Sequence, residues 1–128
     1  MKIFMVVDDS PVIRKIAKRL LEDLGMVVVE AGDTVQAQNM CAESMPDGIL
    51  LDWYIPGSDV FDFLNWVSPK MKEVDGKILF CTSEILVSEM TKAKRSGVNG
   101  FLLKPFNRPQ LEEKLIEVGL LSQEQFAA

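Results

Sequence analysis

The chain has 128 residues, a length typical of one domain, so a single domain without a separate output module is expected. Hydrophobic residues make up 48% and charged residues 26%, a composition that favours a compact globular protein and argues against disorder. The net charge is -5 and no basic run is longer than the pair Lys94-Arg95, so nucleic acid is not an expected partner.

The first elements along the chain are a buried strand and an amphipathic helix. Residues 3–7 form a continuous apolar run, as expected for a strand covered on both faces of a parallel sheet. Ser10 can cap the following helix, with Pro11 as its first residue, and Gly25 ends it. The predicted apolar side of this helix consists of Val12, Ile13, Ile16, Ala17, Leu20, Leu21 and Leu24.

The same alternation continues to the end of the chain. Further strands are predicted at residues 26–30, 48–52, 77–81 and 100–103. Further helices are predicted at residues 34–44, 59–67, 83 or 84 to 96, and 109–118. Strands that alternate with helices predict an α/β fold, with a five-stranded parallel sheet and helices on both faces.

Polar residues follow four of the predicted strands. They are Asp8 and Asp9 after the first strand, Asp52 at the end of the third, Thr82 and Ser83 after the fourth, and Lys104 before Pro105 after the fifth. In an open parallel sheet, ligands bind beyond the carboxyl ends of the strands. These side chains are therefore expected to converge at one edge of the sheet.

This set of residue types favours phosphoryl transfer to a carboxylate. Three neighbouring carboxylates repel one another unless a hard cation such as Mg²⁺ or Mn²⁺ lies among them. Asp52 could then act as a nucleophile toward a phosphoryl group, whose oxygens would be met by the Lys104 ammonium and the Thr82 hydroxyl. An Asp-Asp pair alone is more often a helix cap, and Lys104 alone could be a surface lysine; the shared register of the whole set favours a site.

Four motifs at the strand ends carry a resemblance to a known family. They are Val7-Asp8-Asp9-Ser10, Leu51-Asp52-Trp53-Tyr54-Ile55-Pro56, Cys81-Thr82-Ser83-Glu84 and Leu103-Lys104-Pro105-Phe106. The sequence resembles a two-component response regulator receiver domain of the stand-alone, CheY-like chemotaxis type, over residues 2–118. The resemblance implies a flavodoxin-like doubly wound (βα)5 fold with strand order 2-1-3-4-5. Residues 1–118 would be the receiver domain and residues 119–128 a C-terminal tail of unknown role.

The resemblance also implies a role for individual residues. Asp52 would be the phosphoacceptor, and Asp8, Asp9, Asp52 and the Tyr54 carbonyl would hold Mg²⁺. Thr82, Lys104 and Phe101 would sense the phosphoryl group, with packing alone as the alternative role of Phe101. Ile13, Ile16 and Pro105 would contact the phosphodonor, with a core role open for Ile13. Tyr54 and Glu84 would set the rate of dephosphorylation.

The expected function is that of a phosphorylated switch without enzymatic turnover of an external substrate. A histidine kinase or histidine phosphotransfer protein would phosphorylate Asp52, and the modified protein would bind a downstream target such as a flagellar motor switch protein. A phosphorelay intermediate or phosphate sink is the alternative in the same fold. An aspartyl phosphatase is disfavoured because Asp52-Trp53-Tyr54 lacks a second aspartate, and a phosphorylation-independent scaffold is disfavoured by the intact acidic set.

Other features narrow the expected setting. The chain has no histidine, which excludes the usual zinc enzymes, Ser-His-Asp hydrolases and phosphohistidine carriers. No signal pattern and no run of about 18 apolar residues is present, so a cytoplasmic protein without membrane contact is expected. A monomer is also expected. Cys41 and Cys81 are predicted to be buried reduced thiols, with a redox pair as the alternative. Val60 replaces the glycine that is usual in the family's loop after the phosphoacceptor, which removes the easy access to positive φ and stiffens the start of the third helix.

Overall fold

The computed structural model describes residues 1–122 and shows five strands that alternate with five helices. The strands are β1 (Ile3–Val7), β2 (Val27–Ala31), β3 (Gly48–Asp52), β4 (Lys77–Thr82) and β5 (Gly100–Leu103). The helices are α1 (Pro11–Asp23), α2 (Thr34–Glu43), α3 (Val60–Glu73), α4 (Val87–Arg95) and α5 (Arg108–Glu117). All strand pairs are parallel and the order is β2-β1-β3-β4-β5, so the predicted flavodoxin-like fold is confirmed.

The sheet is covered on both faces by apolar residues. One core lies between the sheet and helices α2, α3 and α4, and includes Met5, Val7, Ile49, Leu51, Ile78, Phe80, Phe63 and Leu64. The other lies under α1 and α5, and includes Phe4, Val6, Leu50, Leu79, Leu102, Leu21, Leu111 and Leu115. Successive strand residues alternate between the two cores, which explains why the strands read as continuous apolar runs.

The two cysteines lie in different cores. Cys41 on α2 is 3% exposed in the first core, and Cys81 on β4 is 2% exposed in the second. Both thiols are free and the sheet lies between them. The predicted burial of both cysteines is confirmed, and a redox pair between them is excluded by their position.

Two helix boundaries were predicted wrongly. The predicted end of α3 at Val67 is too early, because the helix continues through Pro69 to Glu73. Pro69 and Asn65 are both exposed, so the Asn65 carbonyl that lacks a helical N–H partner can be hydrated, while Met71 is buried and anchors the last turn. The predicted start of α4 at Ser83 or Glu84 is also too early, because the Thr82 hydroxyl bonds the backbone of Glu84 in a turn and the helix begins at Val87.

The predicted apolar side of α1 is partly wrong. Ala17 and Leu21 are buried, but Val12 is 66% and Ile16 is 51% exposed. Both exposed residues lie in the first two turns of the helix, next to the edge of the sheet where the strands end.

The first residues of the predicted tail are packed against the domain. Leu120 and Leu121 are 3% and 6% exposed and belong to the core under α1 and α5. A Cβ placed on Gly48, at the start of β3, would lie 2.9 Å from Leu120 Cδ1. Residues 123–128 of the predicted tail lie outside the described residues. Within residues 1–122 no helix has both the length and the apolar character that crossing a membrane requires.

Candidate functional site

Strand register brings the predicted site residues to one edge of the sheet. Val7 pairs with Leu51, and Asp52 pairs with Cys81, so Asp8 and Asp52 end their strands at the same level. Backbone hydrogen bonds continue the ladder past the strand ends: Trp53 N donates to Cys81 O at 2.9 Å, and Lys104 N donates to Thr82 O at 2.8 Å. The peptide bond between Lys104 and Pro105 is cis.

The three aspartates form an acidic cluster that is joined by Lys104. One carboxylate oxygen from each of Asp8, Asp9 and Asp52 lies within 4.8 Å of the others. Lys104 Nζ donates to Asp8 Oδ2 at 2.7 Å and lies 3.1 Å from Asp52 Oδ1. The Asp8 and Asp52 side chains are only 4% and 11% exposed, whereas Asp9 is exposed. Two buried carboxylates thus share one ammonium, and a third carboxylate closes the cluster on the solvent side.

The electrostatics of the cluster penalise the charge on Asp52. Burial raises the pKa of the Asp52 carboxyl, Lys104 partly offsets this effect, and the negative charges of Asp8 and Asp9 add to it. Burial acts to lower the pKa of Lys104, but its hydrogen bonds and ion pairs with Asp8 and Asp52 outweigh burial, and the pKa is raised. A cation with oxygen ligands would relieve the repulsion, so this donor set fits the predicted Mg²⁺ or Mn²⁺.

A cavity of about 380 Å³ opens beside the cluster. It is lined by Asp9, Asp52, Trp53, Tyr54, Pro56, Ser83, Glu84 and Lys104. Tyr54 is 65% exposed and stands at the opening, which is where a side chain that controls the access of water would lie. The predicted nucleophile, ammonium and rate-setting residues therefore surround one cavity.

Thr82 and Phe101 lie beside this cavity rather than in its wall. The Thr82 hydroxyl donates to Glu84 O at 2.8 Å and accepts from Glu84 N at 3.2 Å. Phe101 is half-buried and packs edge-to-face on Phe80 with ring centroids 6.4 Å apart. Thr82 and Phe101 line a separate small cavity of about 10 Å³.

The residues predicted to contact a phosphodonor lie in a neighbouring apolar cavity. Ile13, Ile16 and Pro105 line it together with Ser83, Lys104 and Phe106, and its volume is about 400 Å³. Ile13 is half-buried and Ile16 is 51% exposed.

The loop after β3 accommodates the departure from the family motif. Val60 is the first residue of α3 and is buried, with Asp59 as the N-cap. The left-handed backbone of the loop lies at Gly57, with φ 78°. Valine at position 60 therefore meets no requirement for positive φ, and Thr34 N donates to Ser58 Oγ at 3.4 Å, which ties the loop to the start of α2.

Sequence reasoning missed Arg14, which reaches the site from α1. Its Nη1 donates to the Asp8 carbonyl oxygen at 2.6 Å and its Nε pairs with Glu30 Oε1 at 3.1 Å. A basic residue on an amphipathic helix reads as part of its solvated face, so the sequence carries no signal for this contact.

Comparison with known proteins agrees with this geometry. The family described as response regulator receiver domain matches residues 4–116. The chain is 34% identical over 115 residues to the chemotaxis protein CheY-3 of Vibrio cholerae, covering 89% of this chain and 88% of that protein. It is equally identical to the chemotaxis protein CheY of Pseudomonas aeruginosa, covering 93% of that protein. Among solved structures, the chemotaxis protein CheY4 of Vibrio cholerae aligns with a TM-score of 0.85 and 30% identity, over 92% of this chain and 98% of that chain.

Proposed function

The chain belongs to the response regulator receiver domain family, and from this premise we propose that a histidine kinase or histidine phosphotransfer protein phosphorylates Asp52 in the presence of Mg²⁺. The observation that carries the proposal is the ammonium of Lys104 between Asp8 and Asp52, with the three aspartates in one cluster beside a cavity.

In the proposed transfer, a carboxylate oxygen of Asp52 forms a bond to phosphorus while the bond between phosphorus and the donor's imidazole nitrogen breaks. Asp8, Asp9, Asp52 and the Tyr54 carbonyl would hold the metal, which would neutralise charge on the phosphoryl oxygens. Lys104 would donate a hydrogen bond to one of these oxygens, a role that the 3.1 Å distance between its Nζ and Asp52 Oδ1 supports. The Thr82 hydroxyl would have to release the Glu84 carbonyl oxygen, to which it donates its one proton, before it could donate to a phosphoryl oxygen, so its role couples to the loop before α4.

Incubation with acetyl phosphate and Mg²⁺ tests the proposed phosphoacceptor. Intact-mass spectrometry should show the gain of one phosphoryl group in the parent and in Asp23→Asn, a matched change at an exposed aspartate on α1, but not in Asp52→Asn. Phosphorylation of Asp52→Asn to the extent of the parent would overturn the assignment.

The apolar cavity beside the site supports a docking role for α1. Ile16 and Pro105 are exposed, and with half-buried Ile13 they border Lys104, so a donor seated there would have its phosphohistidine beside the acidic cluster. Ile16→Ala should slow phosphotransfer from a histidine donor without slowing phosphorylation by acetyl phosphate. Val12→Ala is the matched control, because Val12 is 66% exposed on the same helix and is not among the residues that line the cavity. Equal slowing with both donors would contradict a docking role.

We further propose an output role in chemotaxis, which the names of the relatives support. Ile85, Leu86, Val87 and Leu103 are between 40% and 75% exposed around the start of α4 and the end of β5, on the side expected to bind a target. Binding to a flagellar motor switch protein should be stronger after phosphorylation. Phosphotransfer onward to a second histidine protein, without such binding, would instead favour the phosphorelay or phosphate-sink alternative.

A further inference from the structure

Arg14 links two segments at the edge of the sheet that carries the acidic cluster. Through Nη1 it binds the backbone carbonyl of Asp8 at 2.6 Å, and through Nε it binds the carboxylate of Glu30 on β2 at 3.1 Å. Its side chain is 18% exposed and that of Glu30 is 29% exposed. A Cβ on Gly32 would lie 3.4 Å from Nη1, so the loop after β2 also lies close to the guanidinium and limits its movement.

The contact with Arg14 completes the fixation of Asp8. Asp8 N donates to Ala31 O at 3.1 Å, and Asp8 Oδ1 accepts from Ser10 N at 2.9 Å. The carbonyl that Arg14 holds belongs to the peptide that joins Asp8 to Asp9. Hydrogen bonds from a charged donor are short and about twice as strong as neutral ones. Because this peptide joins the two residues, its orientation fixes the backbone positions from which the Asp8 and Asp9 side chains extend.

We propose that Arg14 is a positioning residue for the metal site: by holding the Asp8–Asp9 peptide, it keeps both carboxylates where one cation can bind them. This inference rests on the metal-dependent function proposed above. It differs from a purely electrostatic role, since a guanidinium beside an acidic cluster repels a cation. If Arg14 positions the carboxylates, it strengthens Mg²⁺ binding; if it acts only through its positive charge, it weakens Mg²⁺ binding. The two roles therefore predict opposite effects of Arg14 on Mg²⁺ affinity.

Titration with Mg²⁺ alone, without a phosphodonor, separates the two roles, with Trp53 fluorescence as the readout because Trp53 lines the site cavity. Arg14→Gln removes the positive charge and the planar guanidinium that binds the Asp8 carbonyl and Glu30 at the same time. Arg14→Lys keeps the charge but cannot hold the Asp8 carbonyl and Glu30 together with a planar fork. We expect both variants to bind Mg²⁺ about tenfold more weakly, the size typical of losing a group that orients a metal ligand.

Arg19→Gln is the matched control, because Arg19 is an exposed arginine on the same helix and its loss tests the general effect of one positive charge. It should bind Mg²⁺ as tightly as the parent or slightly more tightly. Affinity equal to or tighter than the parent in Arg14→Gln or in Arg14→Lys would overturn the positioning role.

Thermal unfolding in EDTA shows whether each variant is folded before titration. If Arg14→Gln does not fold, Arg14→Lys retains the test, because a charge-only role predicts no change in its affinity and positioning predicts a loss. A parent protein that fails to bind Mg²⁺ would overturn the proposed metal-dependent function itself, and the positioning role with it. A parent that binds Mg²⁺ with unchanged Arg14 variants would overturn only the positioning role.

Discussion

Replacing Lys104 by methionine should destabilise the protein in the absence of metal, because it leaves two buried carboxylates without their shared ammonium. The Asp8 and Asp52 side chains are 4% and 11% exposed, and Lys104 is 21% exposed. Removing one partner of a buried ion pair costs about 3–5 kcal/mol. Since the ammonium retains some contact with water, we expect a loss at or just below the lower end of this range, about 2–3 kcal/mol. That is a large fraction of the about 5–15 kcal/mol that stabilises a typical domain.

The loss of stability in Lys104→Met should be larger at neutral than at acid pH. The pKa of Asp52 is raised, chiefly by burial, so protonation of this carboxyl favours folding. That contribution is fully present below the pKa of the unfolded chain and is lost as the pH rises through the pKa of the folded protein. Without Lys104 the pKa of Asp52 should rise further, so the difference between Lys104→Met and the parent should be largest near neutral pH and shrink in acid.

Urea unfolding followed by tryptophan fluorescence measures these changes, in EDTA and in Mg²⁺. The matched control is Lys94→Met, an exposed lysine on α4. Mg²⁺ should stabilise Lys104→Met more than the parent, because no ammonium then competes with the cation for the carboxylates. A free Mg²⁺ concentration of a hundred times the Kd adds about 2.7 kcal/mol to the free energy of unfolding. If Lys104→Met lost no more stability than Lys94→Met, or gained nothing from Mg²⁺, the reasoning about shared charge would be wrong.

Three further predictions follow from the site and the cores. Asp9→Ala should fold as stably as the parent in EDTA, or more so, because it relieves repulsion, yet it should not be phosphorylated by acetyl phosphate and Mg²⁺; mass spectrometry that showed normal phosphorylation would refute its role as a ligand. Tyr54→Asn should shorten the lifetime of the acyl phosphate, because the exposed ring at the cavity opening shields the phosphoryl group from water, and an unchanged or slower decay in Mg²⁺ buffer would exclude shielding. Burial raises the pKa of Cys41 to about 11 and of Cys81 to about 12, so a disulfide reagent at pH 8 should label the two thiols no faster than the protein unfolds. The stability linked to these thiols should persist below the ordinary thiol pKa of about 8.5 and be lost as the pH rises through 11 and 12, and rapid labelling of the native protein would contradict their burial.

The order of elements and the edge that carries the site could be predicted because each depends on local patterns. Continuous apolar runs at strand spacing set the sheet, and the polar residue at each strand end lies at the same edge of a parallel sheet by geometry alone. That geometry placed Asp52 beside Asp8 and Lys104, which are far apart in the sequence.

What could not be predicted depends on packing between distant segments. The continuation of α3 past Pro69 depends on a buried Met71 and on exposure of the freed carbonyl, and neither is visible in the sequence. Helical periodicity assigned Val12 and Ile16 to the core because they are apolar, but in the structure they lie on the flank of α1 that also carries the exposed Arg19 and Asp23. Arg14 was missed because its partners, a backbone carbonyl and Glu30, come from two other segments.

The burial of Leu120 and Leu121 decides where a label can be attached to this protein. Leu120 lies next to Gly48 at the start of β3, the end of the sheet opposite to Asp52. A fluorescent protein or surface anchor joined after Ser122 would leave the domain from that far end and keep the phosphorylation edge open to kinase and target. A shorter version cut at residue 118 would instead remove two packed leucines, so that any loss of signalling would report a weakened core and not an altered site.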